Sequence, residues 1–447
     1  MTETSSSQDV STKLVRIAKQ AKEIRGASLM TLAHHIDVDW LREAYRRTRK
    51  DGARGVDGQS AEQYAEHLEA NLQSLLDRAK SGRYRAPPVR RVHIPKGDGT
   101  ETRPIGIPTF EDKVLQRAVA MVIGEVYEQE FHDFSYGFRP GRSPHQALRA
   151  VQSAAWRMNG GWVVEVDIRK FFDSVAHVHL REILRRRIGD GVLLRLIGKW
   201  LNAGVVEGLE LSYSDEGTPQ GGVISPLLAN IYLHNVLDEW FVREVKPALM
   251  GHADLFRFAD DFAVLFDSKQ DAERFLAVLP ERFGKYGLTL HPDKTRMVAF
   301  QRPDRVDDDD DGPGTFNFLG FTHYWGLSRK PVPKGQPSVK RWFAMQKTAK
   351  DRLSRTLRRF SEWCRWHRHD PLETQHLMLV KKLEGHYGYY GITGNFLALA
   401  QVFYAVKRIW RKALARRSQQ RLPWTKMARI LERFPLPAPR IVHQHKT

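Results

Sequence analysis

Apolar and polar positions divide the chain into stretches of different period. Residues 39–50 and 61–82 carry helical spacing. The first stretch is broken by Asp51-Gly52, Gly55 and Gly58, the second by Ser81-Gly82. Between Arg83 and Pro108 that spacing gives way to Pro87, Pro88, Pro95, Pro104 and Pro108, with Gly97-Asp98-Gly99 among them. This segment predicts a hairpin turning at the Gly-Asp-Gly. Helical spacing returns over 110–131. Trp162 to Ile168 is a compact apolar run around Glu165 and reads as a strand. Ser225-Pro226 predicts a helix through about Glu239, with Ser225 as N-cap and Pro226 at the first helical position. Leu255 to Phe266 is apolar apart from Arg257 and Asp260-Asp261, which predicts two strands folded at the acidic pair. From Val339 onward the pattern is helical. Ala349, Leu353, Leu357, Phe360 and Cys364 form one apolar stripe, and Arg352, Arg355, Arg358, Arg359 and Arg365 fill the other faces.

The 447 residues correspond to two to four domains of ordinary size. With 41% hydrophobic and 28% charged residues, wholesale disorder is excluded. The single cysteine, Cys364, rules out an intrachain disulfide and a multi-cysteine zinc module, and fits a reducing compartment. Cys364, His367 and His369 lie close together, but Arg365 and Arg368 sit among them and no second ligand cluster accompanies them, so no zinc site is expected. Gly217 to Leu237 lacks Asp, Glu, Lys and Arg, yet Thr218, Pro219, Gln220, Pro226, Asn230 and His234 disqualify it as a membrane span. The Ser-rich start, Met1 to Gln8, is neither a signal nor a transit peptide, so a cytoplasmic protein without a membrane partner is expected.

Charge changes the picture more. The formal net charge is +19. Residues 1–330 hold 46 basic and 46 acidic side chains, whereas 331–447 hold 25 and 6, so the whole excess lies in the last quarter. A merely soluble basic surface is one reading. The localisation favours a polyanion, because each neutralised phosphate releases counterions. Trp342, Phe343, Phe360, Trp363, Trp366, Tyr404 and Trp410 interleave with these cations between Lys340 and Arg421. Most are expected to pack between helices, and some to stack on bases. Asp307 to Asp311 reads as a solvated loop, and His443 and His445 as a mobile tail.

The candidate chemistry is carboxylate chemistry. Asp260 and Asp261 sit in apolar text, where adjacent ionised carboxylates repel and are costly to desolvate. Such a pair is either a hairpin turn or a divalent-cation site, and Mg²⁺ prefers carboxylate oxygens with substrate phosphates. A second acid, Asp167, ends the run Val163-Val164-Glu165-Val166-Asp167 and is followed by Phe171-Phe172-Asp173. Two strand-borne acids brought together would hold two metal ions for in-line phosphoryl transfer.

Phe258-Ala259-Asp260-Asp261 resembles the aromatic-x-Asp-Asp signature of reverse transcriptases, and Val166 to Asp173 resembles their first metal-binding motif. The likeness continues in order along the chain. Gly55-Val56-Asp57-Gly58 resembles the N-terminal extension of group II intron enzymes. Arg103-Pro104-Ile105-Gly106-Ile107-Pro108 and Phe134 to Ser143 resemble their finger motifs. Gly217-Thr218-Pro219-Gln220-Gly221-Gly222 resembles the nucleotide-pocket loop. Gly287 to Thr295 and Phe318-Leu319-Gly320-Phe321 resemble the last palm motifs, and Leu383 to Asn395 the maturase domain. So many motifs in order, over residues 40–420, identify the chain as resembling the group II intron reverse transcriptase/maturase family.

That resemblance implies an α+β fold: a right-hand polymerase with fingers, an antiparallel-sheet palm and a helical basic thumb/maturase domain. Expected boundaries are 1–85 for the extension, 86–330 for fingers and palm, 331–420 for thumb and maturase, and 421–447 for a tail with room for a short DNA-binding segment. It implies Asp167, Asp260 and Asp261 as catalytic metal ligands for two Mg²⁺ ions. Phe172 would be the steric gate against a 2′-hydroxyl, with Phe171 the core residue beside it. Gln220 and Gly221 would line the incoming dNTP, and Arg103 and Lys113 would face its triphosphate. Lys294 would protonate pyrophosphate, bind phosphate or cap a turn. Leu319, Gly320 and Phe321 would form the primer grip.

The implied partners are an RNA template, probed first as a group II intron RNA, a DNA primer or target, and dNTPs. The expected activity is RNA-directed DNA synthesis joined to maturase-assisted splicing and retromobility. A domesticated reverse transcriptase without an intron is the alternative, and a splicing factor with a dead polymerase is opposed by the retained aspartates. Many relatives carry a cysteine-paired HNH-type endonuclease. One cysteine and an end at Thr447 lead us to expect none here, as in the endonuclease-less lineages.

Overall fold

The computed structural model describes residues 2–96, 101–208, 210–214, 216–217, 221–303, 313–327, 342–417 and 419–444. The turn expected at Gly97-Asp98-Gly99, the loop residues Thr218, Pro219 and Gln220, the run Asp307 to Asp311, and His445 lie outside the described residues. The fold is α+β. No helix among the described residues is long and apolar enough to cross a membrane.

The chain forms two compact units. One comprises Met1–Pro144, Val166–Val264 and Gln270–Arg296, and the other His145–Glu165, Leu265–Lys269 and Met297–Thr447. In the first unit the helix Phe110–Tyr127 is central. Thr109 caps it by accepting from the Asp112 amide, and Val114, Leu115, Ala118, Val119, Val122 and Ile123 are fully buried along it. The hairpin of β1 (Val89–Lys96) and β2 (Glu101–Ile107) forms as expected, in register from Arg90 opposite Ile107 to Lys96 opposite Glu101. Its sheet continues through β4 (Val205–Glu207), parallel to β1, and β5 (Glu210–Ser212), in the order β2-β1-β4-β5. A second four-stranded sheet orders β6-β7-β3-β8, from β3 (Trp162–Val166), β6 (Ala253–Phe258), β7 (Asp261–Phe266) and β8 (Arg296–Ala299).

Several elements depart from the pattern-based expectation. The helix expected over 61–82 breaks into Ala61–Ala65 and Leu68–Ser81, because His67 leaves helical geometry and Asn71 Nδ2 donates to the Tyr64 carbonyl, 2.9 Å away. Ser225 is not the cap: Ile224 takes that position, and Ser225 is a buried first helical residue. That helix is α only to Leu233, then turns π over His234–Asp238 and again over Phe241–Val245. The strand expected to reach Ile168 ends at Val166; Ile168 makes an isolated bridge to Leu290.

In the second unit, β9 (Phe316–Phe318), β10 (Phe321–Leu327) and β11 (Trp342–Thr348) form an antiparallel sheet. β11 replaces helix at the start of the basic region. Ala344, Gln346 and Thr348 are buried at every second position, and all seven residues pair with β10, so sheet pairing wins over helical patterning there. Helix begins only at Lys350. Lys350–Trp366, Leu372–Tyr390, Phe396–Arg417 and Trp424–Arg433 share one core that includes Phe360, Cys364, Leu383, Tyr387, Trp410 and Met427. His443 is tied rather than loose: its Nε2 lies 2.8 Å from the Gly388 carbonyl and it bridges Ile392.

Asp112 is the buried polar centre of the first unit. It accepts hydrogen bonds from Tyr84 Oη, Trp200 Nε1 (2.6 Å) and Gln116 Nε2 (3.0 Å). Burial pushes its carboxyl up to about 6 from 3.8, against the pull of those bonds. A folded-state value above the unfolded one contributes stability that is complete below the unfolded value and lost as pH rises through the folded one. The stability advantage of wild type over Asp112→Asn is therefore expected to be larger at pH 4.5 than at pH 7 in urea melts. An equal or reversed difference would refute this.

Candidate active site

β6 ends at Phe258 and β7 begins at Asp261, so Ala259 and Asp260 are the two loop residues of a hairpin. The fold point lies one residue earlier than the Asp-Asp pair implied. Ala259 has φ +57°, a left-handed conformation that hairpin loops usually give to glycine. Such strain persists only where the surroundings over-determine it. Asp260 is half-buried in the loop, and Asp261 is exposed at the start of β7.

Asp167 directly follows β3, the sheet neighbour of β7. Its carbonyl accepts from the His291 amide, 2.8 Å, and the Arg169 amide donates to Thr289, 2.8 Å, so the segment after β3 is pinned to residues 289–291. Burial pushes the Asp260 carboxyl above its ordinary range. A backbone hydrogen bond opposes that rise, the Asp167 charge adds to it, and Arg103 and Arg257 oppose it. Lys294 Nζ lies 2.7 Å from Asp167 Oδ2. Both of those side chains are substantially exposed, so the pair adds little stability of its own. The three acids offer carboxylate oxygens, a donor set that suits a hard divalent ion such as Mg²⁺.

The remaining sequence candidates fall in different places. Phe171 is buried while Phe172 is partly exposed, their rings 5.4 Å apart edge to face, on the short helix Phe171–Ser174. Gly221 has φ +111°, and a Cβ there would lie 2.6 Å from the Gly106 carbonyl oxygen, so the loop sits directly on β2. Gln220 is outside the described residues. Arg103 is exposed on β2, and its charge acts on Asp260. Lys113 instead donates to the Ala53 carbonyl at 2.6 Å, and burial lowers its pKa. In the second unit, Leu319 and Gly320, with φ +52° and +79°, form the turn between β9 and β10. Phe321 opens β10, buried, with its ring 5.2 Å from Tyr390.

Sequence reading missed what holds the hairpin. Arg257, fully buried in β6, donates through Nε to Asp238 Oδ1 at 2.7 Å and through Nη2 to Asp238 Oδ2. Its Nη1 reaches Asn230 Oδ1 at 3.0 Å and the carbonyl of the strained Ala259 at 3.2 Å. Burial would raise the fully buried Asp238, but the charge and hydrogen bonds of Arg257, with the neighbouring His234, together hold the carboxyl below its usual range. Asn230 Nδ2 also donates to the Gly137 carbonyl, 2.6 Å. A Cβ on Gly137 would lie 2.3 Å from the Ala259 nitrogen, so only glycine allows this approach. The segment is held there by Tyr136 N to Arg257 O, 2.8 Å, and Arg257 N to Phe134 O, 2.9 Å. A lone arginine inside an apolar strand was the available signal, since a buried guanidinium needs a partner.

The family model for reverse transcriptase (RNA-dependent DNA polymerase) matches residues 94–323, which include Asp167, Asp260 and Asp261. The chain belongs to the reverse transcriptase family. Protein YkfC of Escherichia coli is 43% identical over 299 residues, 58% of this chain and 76% of YkfC. The group II intron-encoded protein LtrA of Lactococcus lactis is 44% identical over 180 residues, covering 40% of this chain and 29% of LtrA. An uncharacterized 91 kDa protein in a cob intron of Schizosaccharomyces pombe is 40% identical over 176 residues, 39% of this chain and 21% of its own length. The match thus spans most of YkfC but less than a third of either intron protein. Reverse transcriptases generally use divalent metal ions.

Proposed function

We propose that this reverse transcriptase binds a group II intron RNA, assists its splicing as a maturase and copies it into DNA during retromobility. The observation that carries the catalytic half is the placement of Asp167 just after β3 and of Asp260-Asp261 at the start of β7, neighbouring strands of one sheet within the family's matched region. The intron half rests on the likeness to LtrA and the cob-intron protein, and on the basic helical region after Lys350.

In this reading Asp167, Asp260 and Asp261 hold two Mg²⁺ ions, which supply charge neutralisation for the reacting phosphates. Arg103 faces the triphosphate of a bound dNTP, and Gln220 lines its pocket together with Gly221, which sits against β2. The primer 3′-hydroxyl gives up its proton to solvent as its oxygen bonds to the α-phosphorus, the bond from that phosphorus to the bridging oxygen breaks, and pyrophosphate leaves. Lys294, within reach of the site through Asp167, turns toward the leaving phosphates. Leu319, Gly320 and Phe321 grip the primer. Residues 1–85 act as the extension, 86–330 as fingers and palm, 331–420 as thumb and maturase, and 421–447 as a tail.

Primer extension on an RNA template tests the polymerase. Crosslinking in the native host, with sequencing of the bound RNA, tests the intron reading: one structured intron should dominate, and a dispersed or non-intron RNA set would overturn it.

In this reading Phe172, partly exposed beside the buried Phe171, is the steric gate against a 2′-hydroxyl. Phe172→Ala is therefore expected to lower the dNTP-over-rNTP preference in kcat/KM by roughly 10–100-fold. An unchanged ratio would assign Phe172 to packing alone.

A further inference from the structure

Outside the carboxylate site, the first unit brings together two imidazoles and a carboxylate. His132 Nε2 lies 2.8 Å from Glu239 Oε1, and His234 Nε2 lies 3.8 Å from the same oxygen. One donor atom from each of the three residues falls within 4.8 Å of the others. Neither His132, His234 nor Glu239 belongs to the polymerase machinery described above.

Three features separate this cluster from an ordinary surface ion pair. His234 is 5% exposed, its Nδ1 has no hydrogen-bond partner, and its Nε2 is too far from Glu239 for a hydrogen bond. A buried imidazole left in that state is costly unless something else takes its lone pair. The second feature is backbone geometry. At 3.6 residues per turn, positions five apart point about 140° away from each other. Here the segment His234–Asp238 is π-helical, and the Glu239 amide donates to the His234 carbonyl, so His234 and Glu239 come to one face. Such π-turns are uncommon and cluster at functional sites. The third is support. Asp238 Oδ2 stands 3.6 Å from His234 Nδ1, beyond hydrogen-bond distance, so it places a negative charge beside the ring without a bond to it. The His132 ring stacks on Phe134 at 5.0 Å, which fixes its direction.

We propose that His132, His234 and Glu239 bind one divalent transition-metal ion of the zinc type. Imidazole nitrogens with a single carboxylate favour zinc over magnesium, which wants oxygen donors throughout. Three protein ligands leave one position for water. Arg243 pairs with Glu239 Oε2 at 2.5 Å and leaves Oε1 facing the two histidines. The ion clamps the segment around His132 to the π-turn. That segment continues into Phe134–Tyr136, whose backbone pairs with Arg257 of β6, so the clamp braces the strand leading into the Ala259-Asp260 loop.

The experiment uses the full-length chain, stripped with a chelator and kept in excess Mg²⁺ so that the aspartate site is occupied. Zinc is then titrated in competition with a chromophoric chelator, and cobalt is substituted to read coordination from its visible spectrum. Wild type is expected to take up one tight equivalent of zinc and to give the intense cobalt absorption of a four-coordinate site with nitrogen donors. An Asp167→Asn/Asp260→Asn variant should keep both signals, which separates this site from the polymerase site. His132→Gln and Glu239→Gln, both at partly exposed positions, should each lose them. Wild type without a tight equivalent, or an equivalent that survives both substitutions, would overturn the assignment. The wild-type cobalt spectrum decides the matter even if a variant fails to fold.

Discussion

Asp260→Asn is expected to reduce primer extension by about 10⁴-fold or more while leaving the metal-free protein at least as stable as wild type. The two effects have one cause. Asp260 is half-buried at the hairpin loop, and burial together with the Asp167 charge holds its carboxyl above the ordinary range. Removing that charge relieves a repulsion that the metal-free fold bears, and takes away an oxygen anion that a divalent ion requires. Asp167→Asn should cost a comparable loss of activity through the same donor set. It frees Lys294 from its 2.7 Å pairing, but that pairing is solvent-exposed and contributes little to folding. Thermal melting in chelator alongside extension assays in Mg²⁺ checks both halves. Residual activity within tenfold of wild type in either variant would remove these aspartates from the chemistry. A large fall in melting temperature would instead make their role structural.

How much of this was legible beforehand depended on whether a feature has a local signature. The strands that end beside Asp167 and Asp260 were readable because buried strands appear as apolar runs, and acids interrupting such runs stand out. Helix starts with a side-chain acceptor, such as Thr109, were placed closely by the return of helical spacing. What escaped reading lacks local code. No propensity distinguishes the π-turn at His234–Asp238 from α-helix, and its effect on which side chains meet appears only in three dimensions. Trp342–Thr348 is rich in residues that suit either element, and pairing with β10 decided it. Arg257 was visible as an anomaly, but its partners Asp238 and Asn230 lie 19 and 27 residues away, and nothing in the intervening text links them.

That network supports the second large prediction. Gly137→Ala is expected to lower kcat roughly 100-fold with little change in the dNTP KM, because the added Cβ would stand 2.3 Å from the Ala259 nitrogen and 2.9 Å from the Phe258 carbonyl carbon. Both neighbours are backbone, so the loop carrying Asp260 must move. A displacement near 1 Å at a reacting centre costs on the order of 10²-fold. Arg257→Met attacks the same loop from inside. It leaves Asp238, fully buried, without its counter-charge, which typically destabilises a protein by about 3–5 kcal/mol. Loss of activity in that variant alone would therefore be ambiguous. The double variant Arg257→Met/Asp238→Leu resolves it, since exchanging a whole buried pair for apolar groups is often neutral for stability. If Arg257 acts by holding the Ala259 carbonyl, the double variant regains its melting temperature yet stays deficient in kcat and needs more Mg²⁺ to reach its maximum rate. If activity returns with stability, the network serves the fold alone, and the position of Asp260 is set by the Gly137 contact without help from the arginine beneath it.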